Sequence, residues 1–88
     1  MRVPRRTRAA PSRTIDGTAV VIHTAMGEVS MLNEVGTLVW QSIDGARDEA
    51  AIARLVAEEF EVDEPTAARD VAAFLDELAA ASLVEFAE

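Results

Sequence analysis

The chain changes periodicity between Met31 and Gly45, in the stretch MLNEVGTLVWQSIDG. Upstream, apolar residues come in runs of strand length: Thr14-Ile15, Ala19 to His23, and Glu28 to Leu32. Downstream they recur at spacings of three and four, the period of a helix with one buried face. Asn33 stands at the junction, and its side chain can accept a hydrogen bond from the free N–H groups of a first helical turn. The segment therefore reads as strand before Asn33 and helix after it. Val35, Leu38, Val39 and Ile43, with Gln41 and Ser42 among them, form a helical stripe with Trp40 beside it. Asp44-Gly45 reads as the left-handed stop that ends many helices.

The three upstream runs are joined by turn signals. Asp16-Gly17 is a two-residue turn that tolerates positive φ, and Ala25-Met26-Gly27 supplies a second turn. Three short strands with one apolar face need a partner layer. A second helix is expected from near Asp48 to near Glu61, its stripe made by Ala51, Ile52, Leu55, Val56 and Phe60. Asp63 then caps a third helix, with Glu64 and Pro65 in its first turn, where a missing N–H costs nothing and negative charge suits the dipole. Val71, Phe74, Leu75 and Leu78 form that helix's stripe, with Ala67, Ala68, Ala72 and Ala79 allowing close approach. Leu83, Val84 and Phe86 follow as a short extended exit. The expected fold class is α+β, winged helix-turn-helix-like, with a three-stranded antiparallel sheet followed by three α-helices.

Eighty-eight residues, half of them apolar, fill one core. A chain of this size buries only about 60% of its unfolded surface. Without cysteine, disulfides, thiolate ligands and a Cys nucleophile are excluded. No apolar run approaches a membrane span or a signal peptide, which leads us to expect a soluble cytoplasmic protein. The net charge of −8 is unevenly placed. Five Arg and no acid occupy the first thirteen residues, whereas three Arg face sixteen acids from residue 14 onward, a net −13. Residues 1–12 read as a basic flexible N-terminal arm, either mobile with its end recruited as a first strand or docked on an acidic partner, with an arm that binds nucleic acid as the less favoured alternative, and residues 13–88 read as the domain.

Catalytic chemistry finds no foothold. His23 is the only histidine and has neither a nucleophile to activate nor further ligands for a metal, so a strand position is the better reading. Glu58-Glu59 and Asp76-Glu77 are helical neighbours pointing about 100° apart, which suits a solvated face and not a converging acid and base. Glycines 17, 27, 36 and 45 match no phosphate-binding spacing. No cofactor and no metal are expected. Trp40 reads as a core aromatic.

A set of ordered features, Gly27-Glu28, Leu32-Asn33, Val39-Trp40, Asp44-Gly45, and Arg69-Asp70-Val71 with Phe74-Leu75, Leu78 and Leu83-Val84, resembles the PqqD-like family over residues 14–86. The chain departs from the family pattern at Ser82, where Gly is expected. The resemblance implies a non-catalytic peptide chaperone, a recognition element that binds the leader segment of a ribosomally synthesised precursor by strand addition and presents it to a leader peptidase or other peptide-modifying enzyme. The likeness is greatest to the leader-recognition proteins of lasso peptide biosynthesis, with the pyrroloquinoline-quinone pathway and its radical enzyme as the alternative. It also implies the binding residues: Glu28, Val29, Ser30, Met31 and Leu32 on the third strand, and Arg69, Asp70, Ala73, Phe74 and Glu77 on the third helix. Within the strand, Ser30 and Leu32 face one side and Val29 and Met31 the other; alternation alone does not say which pair lines the groove.

The other reading of a winged helix is a DNA-binding transcriptional regulator. A recognition helix offers cations and amides to bases and phosphates. Here the third helix offers Arg69 against Glu64, Asp70, Asp76 and Glu77, so neither nucleic acid nor membrane is expected as a partner.

Overall fold

The computed structural model describes residues 2–8, 11–23 and 27–87, apart from the side chains of His23 and Glu28. The expected turn at Ala25-Met26 lies outside the described residues, as does any account of the His23 ring. The elements run β1 (Val3–Arg6), β2 (Ser12–Ile15), β3 (Thr18–His23), β4 (Glu28–Met31), α1 (Glu34–Ser42), α2 (Glu49–Phe60), α3 (Glu64–Ala80) and β5 (Val84–Ala87). β2, β3 and β4 form an antiparallel meander with β3 in the middle, and β1 pairs antiparallel with β5 in a separate ribbon. The expected α+β architecture is present, with this ribbon added.

Each helix starts where a short polar side chain can take the place of a missing backbone acceptor. Asn33 accepts from the Gly36 N–H, Asp48 from Ala51 and Asp63 from Thr66, at 2.7, 2.8 and 3.0 Å. The β2–β3 turn has φ of +51° at Asp16 and +79° at Gly17, the paired left-handed residues that a tight hairpin of this hand requires.

One expectation is corrected. The first helix ends at Ser42 and does not reach Asp44-Gly45, because Ile43 is extended and its N–H returns to the Trp40 carbonyl. The Asp44 carboxylate instead accepts from the Ala46 and Arg47 N–H groups at 2.9 and 2.8 Å, a local turn that competes with helix continuation. Within the basic N-terminal segment, Val3–Arg6 forms a strand. Pro4 is fully buried, β1 has the backbone of β5 as its partner, and Glu49 N–H donates to the Arg2 carbonyl. Arg2 bridges Glu49 of α2 and Asp76 of α3 and lies over the Phe86 ring at 4.1 Å. Arg5 meets Glu85 at 2.9 Å, and Arg6 sits 4.7 Å over the Trp40 ring while donating to the Trp40 carbonyl. The acidic partners of Arg2 and Arg5 are in the chain's own body, and Arg6 is held by Trp40.

The core draws Ala19 and Val21 from β3, Val39 and Trp40 from α1, Ile52 and Val56 from α2, Val71, Leu75 and Leu78 from α3, and Leu83 and Val84 from the exit. Buried Thr37 joins the layers: its hydroxyl accepts from the Ala19 N–H at 3.1 Å and donates to the Leu32 carbonyl at 3.3 Å. That clasp fixes the start of α1 against the end of β4, which is where the groove described next opens.

Candidate functional site

β4 is an edge. Among the described residues it pairs with β3 alone. The Leu32 N–H donates to the Ala19 carbonyl at 2.9 Å, and Ser30 stands opposite Val21. The two-residue period of an antiparallel ladder then directs the N–H and C=O groups of Val29 and Met31 away from β3, toward the open side. Their side chains share a face with Val20 and Ile22 and are 63% and 75% exposed. Ser30 and Leu32 turn toward the layer that holds Ala19 and Val21. An edge of this kind is ready to take another strand.

Beside that edge an open groove of ≈ 500 Å³ runs between the end of β4, the first turn of α1 and one face of α3, lined by Met31, Leu32, Asn33, Val35, Gly36, Asp70, Phe74 and Glu77. The α3 contribution follows from helical spacing: Asp70, Phe74 and Glu77 lie at i, i+4 and i+7, one stripe. Val71, Leu75 and Leu78, on the neighbouring stripe, are buried and anchor the helix. Phe74 reaches the floor because Gly36 leaves room for it. A Cβ built on Gly36 would stand 3.3 Å from Phe74 Cζ and 3.1 Å from Asn33 Oδ1.

Of the residues expected at the site, Met31, Leu32, Asp70, Phe74 and Glu77 line the groove. Val29 and Ser30 belong to the adjoining edge strand, as does the backbone of Glu28, while Arg69 and Ala73 are exposed on α3 outside the lining. Sequence reasoning missed Asn33, Val35 and Gly36. A glycine inside a helical run, where it costs about 1 kcal/mol relative to alanine, was the available signal of a close approach.

The exposed side of α3 also weighs on function. Glu64, Asp70, Asp76 and Glu77 outnumber Arg69 there, an arrangement that repels a phosphate backbone. Among the described residues no group of three His, Asp or Glu is placed to hold a metal ion, and no helix is long and apolar enough to cross a membrane.

A family model described as Coenzyme PQQ synthesis protein D (PqqD) matches residues 18–84. The chain belongs to the PqqD family. Among solved structures, TbiB1 in complex with the TbiA(beta) leader peptide is 31% identical, with 92% of this chain and 94% of that one covered and a TM-score of 0.83. A lasso peptide synthetase B1 complexed with the leader peptide is 24% identical, covering 94% and 98% at a TM-score of 0.83. The PqqD truncation of Methylobacterium extorquens PqqCD, described as a functional and stand-alone recognition element for ribosomally synthesised and post-translationally modified peptides, is 21% identical, covering 94% and 88% at 0.75. No match is found among curated proteins.

Proposed function

We propose that this PqqD-family chain is a non-catalytic peptide chaperone. It takes up the leader segment of a ribosomally synthesised precursor as a strand added to β4 and holds it for a separate leader peptidase or other modifying enzyme, with a lasso peptide pathway as the favoured setting. The encounter belongs in the cytoplasm, where such a precursor is translated. The observation that carries this reading is the meeting of the open β4 edge with the groove. Main-chain bonds to Val29 and Met31 supply affinity that is independent of sequence, and a leader side chain entering between Leu32 and Phe74 supplies selectivity. Asp70, Glu77, Arg69 and Ala73 border the path on α3, and Glu28, Ser30 and Leu32 complete the strand. The complex of TbiB1 with a leader peptide supports the same assignment for a relative of this similarity.

The test is a titration of a labelled candidate leader, from any short precursor frame found beside this gene, against the parent chain and its Leu32 and Phe74 variants carrying single polar replacements. Loss of a buried anchor contact is expected to weaken binding by about 2 kcal/mol, roughly thirtyfold. Folded variants that bind as the parent does would place the groove elsewhere, and leader cleavage by the chain alone would overturn the non-catalytic reading.

A further inference from the structure

Resting on the leader-binding reading, we propose that the groove selects an extended peptide in which one apolar side chain is flanked, two residues away on one or both sides, by Lys or Arg. The floor of the groove is apolar, with Leu32, Val35 and Phe74, and its α3 rim is acidic, with Asp70 and Glu77. Some acids of the surface are matched within the chain: Glu49 and Asp76 hold Arg2, Glu85 holds Arg5 and Asp44 holds Arg47. Asp70 and Glu77 take part in no ion pair among the described residues. Arg69 does not neutralise them as a pair. Its charge adds to the Thr66 hydrogen bonds that hold the Asp63 carboxyl below its usual range, at the start of the helix.

Spacing turns this charge pattern into a sequence pattern. Along α3, Asp70 lies four residues before Phe74 and Glu77 three after it, which at the helical rise is about 6 Å and about 4.5 Å. In a strand, side chains on one face repeat every ~6.8 Å. A strand laid along the groove with its apolar side chain on Phe74 therefore brings the residues two before and two after close to the two carboxylates. The long stems of Lys and Arg absorb a mismatch of an ångström or two and cover apolar surface as they do so. An acidic residue at either place meets like charge, and the surplus of acid over the whole chain, a net −8, favours the approach of a basic segment.

The experiment is a selection of short random peptides by mRNA display on the full chain at about 150 mM salt, where surface charges are felt over ~8 Å. It is repeated on the isosteric double variant Asp70→Asn/Glu77→Gln and on Phe74→Ala, each first shown to unfold cooperatively. The parent is expected to enrich peptides with an apolar residue and Lys or Arg two positions away. The double variant is expected to keep the apolar preference and lose the basic one, with parent-selected peptides binding it about five- to tenfold more weakly. Apolar peptides without a basic preference, or a basic preference that survives in the double variant, would overturn this inference and leave leader binding intact. No enrichment on the parent, or enrichment indifferent to Phe74→Ala, would overturn the leader-binding reading and this inference with it.

Discussion

Gly36 and Phe74 meet closely across the floor of the groove: a Cβ on Gly36 would lie 3.3 Å from Phe74 Cζ, close enough that the ring would have to give by a few tenths of an ångström. The pair sets the depth of the groove, which makes Gly36 a shape determinant despite having no side chain to offer a ligand. In Gly36→Ala, the gain of about 1 kcal/mol in helix propensity offsets the crowding, so the thermal midpoint stays within a few degrees of the parent. Leader affinity is expected to fall as the added methyl displaces the Phe74 ring from its place on the groove floor. Calorimetry and peptide titration on the same sample separate the two effects, and unchanged affinity would remove Gly36 from the site.

Much of the fold is legible in local chemistry. Asn33, Asp48 and Asp63 each immediately precede a run of helical period, and all three cap their helices. The β1–β5 ribbon was not legible, because its pairs, such as Val3 with Ala87, join residues from opposite ends of the chain. Val3–Arg6 carries a proline and two arginines and gives no strand signal of its own. The site divides along the same line. The stripe of Asp70, Phe74 and Glu77 follows from spacing within one helix, whereas Asn33, Val35 and Gly36 reach the groove only when the first turn of α1 is packed against α3.

Ser82 stands where the resemblance led to an expectation of Gly, and the structure gives a physical reason for glycine there. Its φ is +62°, in the left-handed region, while Leu83 N–H donates to the Leu78 carbonyl at 2.9 Å and Ser82 N–H to the Ala79 carbonyl at 3.0 Å. These are the two bonds of a Schellman stop. A left-handed backbone costs a residue with a Cβ about 1–2 kcal/mol, part of which glycine returns as unfolded-state entropy. Ser82→Gly is therefore expected to raise stability by about 0.5–1 kcal/mol, roughly 3–6 °C for a domain this small. A thermal melt showing no gain would contradict this account of the stop.

Trp40 is fully buried, its indole N–H donates to Ser12 Oγ at 3.0 Å, and Arg6 covers its ring. Truncation to alanine is expected to cost about 3–5 kcal/mol. Trp40→Phe retains most of the burial and loses the hydrogen bond, for about 1 kcal/mol. Urea titrations that rank the two variants in the opposite order would place the weight of this residue on the polar contact.

Stability should fall on the acid side for a local reason. Thr66 donates backbone and hydroxyl hydrogen bonds to Asp63, and the Arg47 and Ala46 N–H groups donate to Asp44, so both carboxyls are held below their usual value of 3.8. A depressed folded-state pKa contributes stability that is complete above the unfolded value and lost as pH falls through the folded one. The urea midpoint of the parent is expected to decline below about pH 4. The Asp44→Asn/Asp63→Asn variant, which keeps capping oxygens but does not titrate at these positions, is expected to decline less steeply. Identical acid limbs would assign the decline to other groups.

Strand addition at β4 makes a residue-level claim that amide hydrogen exchange can test. Leu32 N–H is already bonded to the Ala19 carbonyl and Ser30 belongs to the same set of inward-facing groups, whereas the Val29 and Met31 N–H groups face the open edge. Exchange measured by NMR, with and without a saturating leader peptide, should show Val29 and Met31 slowing markedly while Leu32, protected from the start, changes little. A leader that binds tightly yet leaves the Val29 and Met31 amides exchanging as in the free chain would contradict the account at its centre.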